Sequence, residues 1–443
     1  MSRMAAAAVI RAAATQSFLR CLSCMGSASA VEERPRMRPT AARAANPGFQ
    51  GPAGAAAAIA RPPPPFHERP PASCRARRFP TACRVARDSP PPRPTLSQDW
   101  PPRPDQPTRR TDVIRVGLVG CGGIMGAHLP GWKAVEGRAV VTAACDVNEE
   151  SARRRAQELG GTASIYSDWR QMLADGGVDA VDVALPHRLH RDAIVDAAQA
   201  GKHILTEKPL CTTLDEARDI EAAVKANGVI LMCAHNQMFE PAPRTARRWI
   251  AEGRIGRVFS LRTVDCFLAK NKDQPGSWGW RGSAAESGGG CALDTGYHPT
   301  YMLISIANSE PVEVVSFSAN YNQPNLDAED TAQTMVRFAN GAVGTLQTSW
   351  GHPWPNGHWQ IHAIGELGQI FGRGSTLYFQ AHGAEPEKHD LQPENGFVGE
   401  IRHFVECVEK GDTPEQSLKE GITVLKVILG GYQSEREKRV IPL

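Results

Sequence analysis

Residues 113–126 read Val-Ile-Arg-Val-Gly-Leu-Val-Gly-Cys-Gly-Gly-Ile-Met-Gly, and this stretch decides the fold. Its first seven residues are mostly apolar and predict a short buried strand that ends where the glycines begin. The glycines then open a predicted helix. A strand that passes through a glycine-rich turn into a helix is typical of the first βαβ unit of a dinucleotide-binding sheet.

The positions of this loop have separate predicted tasks. Gly120 permits a tight turn, and Gly122 lets the backbone approach a pyrophosphate at the N-terminus of the helix. The third position of the fingerprint is usually Gly or Ala, but here it is Met, with Gly126 one residue later. The predicted cofactor-binding residues of the loop are Gly120, Gly122, Gly123, Ile124 and Met125.

Asp146 is the predicted ribose-binding residue. It closes the second predicted strand, 20 residues after Gly126. A carboxylate at this place accepts hydrogen bonds from both ribose hydroxyls and repels a 2′-phosphate, so Asp146 predicts NAD, with NADP left open. The alternative is a turn aspartate that only precedes a helix.

The alternation of strands and helices extends this unit into a domain. Predicted strands at 113–119, 139–145, 179–185, 203–206 and 229–233 alternate with predicted helices that include 149–159, 188–200 and 214–227. Such alternation predicts right-handed βαβ units, and hence an α/β Rossmann domain with a doubly wound parallel sheet over residues 111–235.

The predicted pattern of helices and strands changes after residue 236. Alternating strands are predicted at 312–321, 331–338, 343–350 and 359–364, and Asn340-Gly341 is a hairpin turn signal. Residues 236–443 are therefore predicted to form an α+β domain with a large, mostly antiparallel open sheet, closed by two helices at 398–410 and 414–434.

The first 110 residues have a different composition from the rest. They contain 18 Arg, no Lys, six acidic residues and 19 of the 34 Pro of the 443-residue chain. Few apolar residues and one dominant charge cannot offset the entropy of ordering a chain, so this leader is predicted to be disordered. A cleaved transit peptide, a solvated tail and an upstream start site stay open as interpretations.

Composition also limits the partners and the compartment. The remainder of the chain is net acidic, which argues against a nucleic acid ligand, and no run reaches the roughly 18–20 apolar residues of a membrane span. The cysteines after residue 110 are scattered in apolar runs, as buried thiols are. We expect a soluble protein of the cytoplasm or another reducing compartment, with organelle import left open.

Four motifs give the chain a resemblance to the Gfo/Idh/MocA family of sugar and polyol dehydrogenases. Residues 185–190 (Leu-Pro-His-Arg-Leu-His) resemble the family motif after the fourth strand, and residues 200–210 resemble its most characteristic run, ending in Glu-Lys-Pro. Residues 288–298 and 401–405 are similar to its second-domain motifs. The resemblance covers about residues 113–443 and implies a hydride transfer between a nicotinamide cofactor and a hydroxyl-bearing carbon of a sugar, cyclitol or related polyol.

The chemistry of alcohol oxidation identifies candidate catalytic residues. A base must take the hydroxyl proton while hydride leaves for the nicotinamide. Lys208 lies just past the carboxyl end of a parallel strand, where ligands bind in such sheets, and His298 has the residue type suited to proton transfer near neutral pH. Asp294 lies four residues before His298, so it is expected to orient the ring and to contact substrate. The resemblance places the family's catalytic residues at Lys208, Asp294 and His298. Taken singly, these could be a surface lysine, a helix cap and a core histidine.

The resemblance also implies residues on the cofactor side. They are Leu185, Pro186, His187, His190, Glu207 and Lys208. His190 has a second interpretation, since it begins a predicted helix and can cap or pack there.

The predicted substrate residues lie in two segments. Trp278, Trp280 and Arg281 precede a glycine run, and exposed tryptophans stack on sugar faces while arginine binds carboxylates or hydroxyl pairs; core or interface packing is the alternative. Asn236 and Gln237 follow the last predicted Rossmann strand and are expected to bind hydroxyls.

A cluster of His and Trp residues lies at 350–362, namely His352, His358, His362, Trp350, Trp354 and Trp359. No Cys or acid completes a ligand set, so no metal is expected, and a sheet surface or subunit interface is preferred. Proteins that this chain resembles cover their open sheet by forming dimers or tetramers, so a homodimer or homotetramer through the C-terminal sheet is expected.

Three functions are compatible with these motifs. The first is the reversible dehydrogenase. The second is an NAD-dependent glycosidase without net redox change, and the third is a non-catalytic NAD(P)-binding sensor. The joint presence of Lys208, Asp294 and His298 favours a catalyst over a sensor, because a sensor has no need of proton transfer.

Overall fold

The computed structural model describes residues 112–269, 276–353 and 360–443. The predicted disordered leader lies outside the described residues, as do Trp354, His358 and Trp359 of the His/Trp cluster. In the described part of the chain, no helix combines the length and the apolar character that crossing a membrane requires.

Within these ranges, a six-stranded sheet has the order β3-β2-β1-β4-β5-β6, and all of its neighbouring strands are parallel. Its strands are β1 (Ile114–Val119), β2 (Ala139–Cys145), β3 (Ser164–Tyr166), β4 (Ala180–Val183), β5 (His203–Thr206) and β6 (Leu231–Cys233). The connecting helices are α1 (Gly123–Ala134), α2 (Glu149–Glu158), α3 (Trp169–Asp175), α4 (His190–Gln199) and α5 (Leu214–Asn227). The predicted doubly wound Rossmann sheet is confirmed. The short elements β3 and α3 were not predicted.

Burial and capping explain these elements. All residues of β1 except Arg115 are buried, because helices cover both faces of a parallel sheet. Consecutive residues such as Leu118 and Val119 point to opposite faces of the sheet and belong to two different hydrophobic clusters. The helix α5 begins with a capping box in which Thr213 and Glu216 each bond the other's backbone N–H.

Within the described residues, a second sheet has nine strands in the order β14-β13-β12-β11-β7-β10-β9-β8-β15. They are β7 (Val258–Cys266), β8 (Pro311–Ala319), β9 (Thr331–Phe338), β10 (Val343–Ser349), β11 (Ile361–Gly365), β12 (Gly368–Arg373), β13 (Thr376–Ala381), β14 (Glu387–Asp390) and β15 (Ile441–Pro442). Only the β7–β10 pair of this sheet is parallel, so the mostly antiparallel sheet is confirmed. The central strand β7 was not predicted, nor were β12 to β15.

Helices cover one face of this sheet. The helices on this face are α6 (Pro241–Ala251), α8 (Tyr297–Ala307) and α10 (Leu418–Glu437), whereas the short α7 (Ala284–Ser287) and α9 (Gly396–Lys410) pack chiefly on other elements. Gly344 of β10 approaches Leu303 of α8, whereas Thr345 and its cross-strand neighbour Met335 lie on the opposite face. On that open face Phe371 stacks on Tyr378 with ring centroids 5.1 Å apart.

The helix α9 belongs to the core of the first sheet. Its residues Ile401, Phe404 and Val405 form one hydrophobic cluster with β1 and α1. Trp132 of α1 meets Phe404 edge to face at 6.5 Å. The core of the dinucleotide-binding half therefore includes chain from beyond residue 236.

Candidate active site

The glycine loop leaves open space at the N-terminus of α1. Gly120 has a φ of +88°, and a side chain there would place its Cβ 2.4 Å from the Ala184 carbonyl oxygen, so only glycine fits the turn. A Cβ added at Gly122 or Gly123 would meet no atom within 4 Å. Gly122 is the N-cap of α1 and supplies no side-chain cap, so the backbone donors of the helix start face this space. Such a cradle fits a pyrophosphate.

The unusual third position of the fingerprint has a packing explanation. Met125 is 0% exposed and lies in the core between α1 and the sheet, whereas Ile124 is 40% exposed beside the loop. The following Gly126 lies against a different neighbour, since a Cβ there would lie 2.8 Å from the Arg155 guanidinium. Arg155 in turn donates to the Gly122 carbonyl oxygen at 2.7 Å and holds the loop from α2.

Asp146 lies beside the loop, as a ribose-binding carboxylate would. Its Oδ2 accepts the Cys121 backbone N–H at 2.8 Å, and its Oδ1 accepts the Asn148 N–H at the same distance. These bonds fix the carboxylate at the end of β2, next to the open space at the start of α1. The residues present therefore fit a dinucleotide with free ribose hydroxyls.

Lys208 follows β5 and forms an ion pair with Asp294. Its Nζ lies 2.6 Å from Asp294 Oδ1, and Asp294 Oδ2 is 2.6 Å from Arg281 Nε. Burial alone would raise the pKa of Asp294, but the charges of Lys208 and Arg281 outweigh it and hold the pKa well below its usual range. Asp294 was expected to orient His298, but its oxygens are taken by Lys208 and Arg281. It therefore orients the lysine.

His298 lies in the first turn of α8, partly accessible, and is neutral at physiological pH. Burial, followed by the positive charge of Lys208, holds the pKa of His298 well below its ordinary range. Its Nδ1 is buried without a hydrogen-bond partner among the described residues. The His235 ring lies 4.8 Å from the His298 ring, and its Nε2 is 3.2 Å from the His298 carbonyl oxygen. A neutral imidazole beside an ammonium can accept a proton.

The residues that follow β4 differ in their exposure to solvent. Leu185 and Pro186 are half-buried and precede a 3₁₀ turn, where the His187 Nδ1 is 2.8 Å from the Ser287 carbonyl oxygen and its Nε2 is 3.9 Å from Asp294 Oδ2. Burial, the largest influence, lowers the pKa of His187 to about 3, so this ring is neutral.

His190 was expected on the cofactor side, but the structure places it behind the site. It is fully buried, with its ring nitrogens 2.7 Å from the Pro209 carbonyl oxygen and 2.9 Å from the Leu185 carbonyl oxygen. Its second interpretation, as a packing residue, is the one that these contacts support. The ring braces the segment that carries Lys208 against the end of β4.

The two tryptophans of the predicted substrate loop have different surroundings. Trp278 is only 7% exposed and packs against Trp350 with ring centroids 4.9 Å apart, which favours the packing alternative over its expected role as a sugar-stacking surface. Trp280 is half-buried, with its ring 4.4 Å from His187 and the Arg281 guanidinium 4.2 Å above it. Trp280 and Arg281 thus lie against the group that contains Lys208 and Asp294.

Gln237 contacts Asp265, an acidic residue that was not predicted from the sequence. Gln237 Nε2 donates to Asp265 Oδ2 at 3.1 Å, and Gln360 Nε2 donates to the Gln237 side-chain oxygen at 2.9 Å. Asp265 is the last residue but one of β7 and lies on the same face as Thr263, whose hydroxyl donates to the Pro299 carbonyl oxygen next to His298. Asn236 begins the same 3₁₀ turn as Gln237. No motif marks Asp265, because its place depends on β7 lying centrally in the sheet.

A second missed acid shapes the glycine run before Asp294. Glu329 accepts the Gly290 N–H at 3.1 Å and the Ala292 N–H at 2.9 Å, and the Tyr432 hydroxyl donates to it at 2.7 Å. A Cβ at Gly290 would lie 1.9 Å from the Glu329 carbonyl oxygen. The run is therefore glycine because a carboxylate and its backbone press against it.

The geometry is that of a dinucleotide-binding oxidoreductase, and comparisons with known proteins agree. Residues 114–235 match the model of an oxidoreductase family with an NAD-binding Rossmann fold, and residues 244–371 match that of a GFO/IDH/MocA C-terminal domain. This chain belongs to the Gfo/Idh/MocA family of NAD(P)-dependent oxidoreductases, as the sequence motifs predicted.

Several relatives match more than half of this chain. A 1,5-anhydro-D-fructose reductase of Ensifer adhaerens is 30% identical over 338 residues, which is 73% of this chain and 98% of that protein. A levoglucosan dehydrogenase of Pseudarthrobacter phenanthrenivorans is 31% identical over 301 residues, 61% of this chain and 72% of that protein. A solved levoglucosan dehydrogenase with NADH and levoglucosan superposes with a TM-score of 0.68 at 25% identity, over 75% of this chain and 99% of that one.

Proposed function

We propose that this protein is an NAD-dependent dehydrogenase that oxidises, or in reverse forms, a hydroxyl-bearing carbon of an uncharged sugar, cyclitol or related polyol. One observation carries the proposal: Lys208, paired with Asp294, and a neutral His298 converge near a loop that fits a dinucleotide. Alcohol oxidation requires a base that accepts the hydroxyl proton, and an ammonium can stabilise the charge that develops on the oxygen.

The roles of the three residues follow from their charge states. His298, neutral and partly accessible, takes the hydroxyl proton as the carbon–oxygen double bond forms. Lys208, whose side chain is 12% exposed, donates a hydrogen bond to the same oxygen, which gains negative charge in the transition state. Asp294 holds the ammonium in place at 2.6 Å. The bound nicotinamide supplies the hydride acceptor.

The acids around the site support an uncharged substrate. Asp265 and Gln237 offer an acceptor and an amide to substrate hydroxyls, whereas a carboxylate on the substrate would lie against the acceptor oxygens of Asp265. Arg281, the cation that would bind a sugar acid, is already paired with Asp294. The names of two relatives specify an anhydro sugar and levoglucosan, which accords with a polyhydroxylated ring.

Cofactor preference belongs to the same proposal. Asp146 stands where a 2′-phosphate would be repelled, so NAD is the proposed cofactor.

We also propose that two copies of the chain associate through the open face of the nine-stranded sheet. Phe317 is 69% and Met335 48% exposed on that face, which carries the stacked pair Phe371 and Tyr378 several strands away. A sheet with one uncovered apolar face gains from burial against a second copy. Light scattering would show a dimer or tetramer that Phe317→Glu weakens; a monomer at micromolar concentration would contradict the proposal.

The experiment on function follows reduced nicotinamide by its near-ultraviolet absorbance, with full-length protein, NAD or NADP, and a panel of inositols, aldoses and sugar acids. Turnover with an uncharged polyol that Lys208→Ala abolishes and Lys225→Ala preserves would support the dehydrogenase. Lys225 is the matched control because its side chain is 56% exposed on α5. Cofactor binding without net reduction of any polyol would contradict it, and cleavage of a chromogenic glycoside under those conditions would point to the glycosidase.

A further inference from the structure

A fully buried histidine lies beneath the proposed active site. His128 of α1 is 0% exposed, and its Nδ1 is 2.9 Å from Asp182 Oδ2 while its Nε2 is 3.0 Å from Glu207 Oε1. Trp132, one turn further along α1, donates its ring N–H to the same Asp182 oxygen at 2.8 Å. The histidine therefore bridges two carboxylates inside the first core.

The Glu207 carboxylate links this histidine to the lysine. Glu207 Oε1 faces His128, and Oε2 accepts the Lys208 backbone N–H at 3.0 Å. The Glu207 N–H donates to the Val183 carbonyl oxygen at 2.7 Å, which fixes the segment at the ends of β4 and β5. Two successive hydrogen bonds thus connect α1, whose first residues form the dinucleotide cradle, to the backbone of Lys208.

The charges favour an imidazolium at this place. Burial would lower the pKa of His128, but the carboxylates of Asp182 and Glu207 outweigh it and raise the pKa well above its ordinary value. A third buried acid is Glu400 of α9. Burial raises its pKa to about 8, and the charge of His128 is the strongest influence that opposes this rise. A doubly protonated ring donates from both nitrogens, as its two carboxylate partners require.

We propose that His128 is a positioning residue for Lys208: by bridging Asp182 and Glu207 it holds the Glu207 carboxylate against the Lys208 backbone and couples the cofactor helix to the catalytic lysine. The kinetic consequence rests on the proposed dehydrogenase function, whereas the structural coupling does not. A misplacement of about 1 Å at a reacting group can lower a rate by about 100-fold, so a contact one step removed can govern kcat.

Two amide substitutions distinguish the hydrogen bond of His128 to Asp182 from its hydrogen bond to Glu207. His128→Gln keeps a donor where Nε2 faces Glu207, and His128→Asn keeps one where Nδ1 faces Asp182. Both remove the charge and one hydrogen bond, so their melting temperatures are expected to fall together. We expect kcat to fall at least about tenfold further in His128→Asn than in His128→Gln, with the Kd for NADH within about threefold of wild type in both.

Equal kcat values in the two variants, or a loss of kcat that follows the melting temperature, would overturn the proposal. A loss confined to NADH affinity would also overturn it. If neither variant folds, Asp182→Asn and Glu207→Gln form a second matched pair, since each neutralises one carboxylate of His128 but only Glu207→Gln alters the bond to Lys208. We then expect kcat to fall in Glu207→Gln and to be largely kept in Asp182→Asn, and equal losses would sink the idea.

A readout independent of turnover separates this inference from the proposed function. Reductive methylation with ¹³C-formaldehyde labels lysine amines, and Lys208→Arg assigns the Lys208 resonance. The resonance is expected to move in His128→Asn and to stay near its wild-type position in His128→Gln. Equal shifts in the two variants would contradict the coupling even if no polyol proved to be a substrate.

Discussion

Lys208 Nζ lies 2.6 Å from Asp294 Oδ1, and this pair joins the end of a strand in the parallel sheet to the segment that precedes α8 on the other sheet. The two residues are 86 positions apart, and Arg281 closes on the second oxygen of the same carboxylate. Two cations thus share the Asp294 carboxylate, and of the two only Lys208 is largely buried. Loss of the carboxylate is expected to leave both Lys208 and Arg281 without this ion pair.

Asp294→Asn tests this pair. The amide keeps the size and one acceptor but loses the charge that holds the ammonium, so we expect kcat for polyol oxidation to fall by about 100-fold. Steady-state kinetics would measure it, with the exposed Asp412→Asn as the matched control. A kcat within a few-fold of wild type would show that Lys208 is held by other contacts.

The pH dependence of oxidation reports the state of His298. Because the base acts in its neutral form, a lowered pKa keeps it active at lower pH. We expect the acid limb of the kcat/KM profile to lie below about pH 6.5, the ordinary value for imidazole. His362→Gln, on the open sheet face, should leave the profile unchanged. A limb at or above the ordinary value would rule out His298 as a base in this environment.

The two loop tryptophans should respond differently to alanine. Trp278→Ala removes a ring buried against Trp350 and is expected to lower the stability by about 3–5 kcal/mol. Trp280→Ala is expected to raise KM for the polyol while the melting temperature changes little, since its ring lies half-buried at the site. Calorimetry and kinetics on both proteins would check this, and the reverse pattern would contradict the assignment.

Cofactor choice should depend on the charge of Asp146. Asp146→Asn keeps an oxygen for the Cys121 N–H but no longer repels a 2′-phosphate. We expect the ratio of kcat/KM for NADP to that for NAD to rise by about tenfold or more. Asp168→Asn, an exposed helix cap at the end of the next strand, is the control. An unchanged ratio would mean that another residue selects the cofactor.

Glu400 is expected to make stability fall with rising pH. Its pKa is raised to about 8 in the folded protein from an ordinary 4.5, so between these values the folded state binds the extra proton. Its contribution therefore weakens by up to about 1.4 kcal/mol per pH unit over that window and levels off above it. Glu400→Gln removes this pH-dependent contribution. The melting temperature of the variant, relative to that of the wild type, should therefore rise as the pH increases from about 5 to about 8.5. Glu406→Gln, 38% exposed on the same helix, should show no such gain.

Local signals in the sequence predicted the first sheet and most of the glycine loop. The strand before Gly120 and the helix after it are encoded within a dozen or so residues, and βαβ periodicity then orders the neighbouring strands. Lys208 was located because its position relative to β5 is a local property. Even Met125, the apparent mismatch, fits a local explanation, since it turns inward from α1 to the core.

Residues whose roles depend on distant partners were missed or misassigned. Asp265 acts with Gln237 only because β7 lies in the middle of the second sheet, and Trp278 is buried only because Trp350 comes back beside it. His128 gave no signal, because its two carboxylates lie 54 and 79 residues away. Residue type and spacing cannot report such contacts without the strand order.

The place of β7 has a consequence for how the protein is made on the ribosome. This strand is the first of its sheet to emerge, but its hydrogen-bonding neighbours β10 and β11 begin at Val343 and Ile361. During synthesis one edge of β7 stays unpaired until β10 ends at Ser349 and the other until β11 ends at Gly365, and exposed strand edges invite pairing with other chains. The nascent chain is therefore most vulnerable to aggregation after the dinucleotide-binding strands have formed, and chaperone demand should peak in that interval.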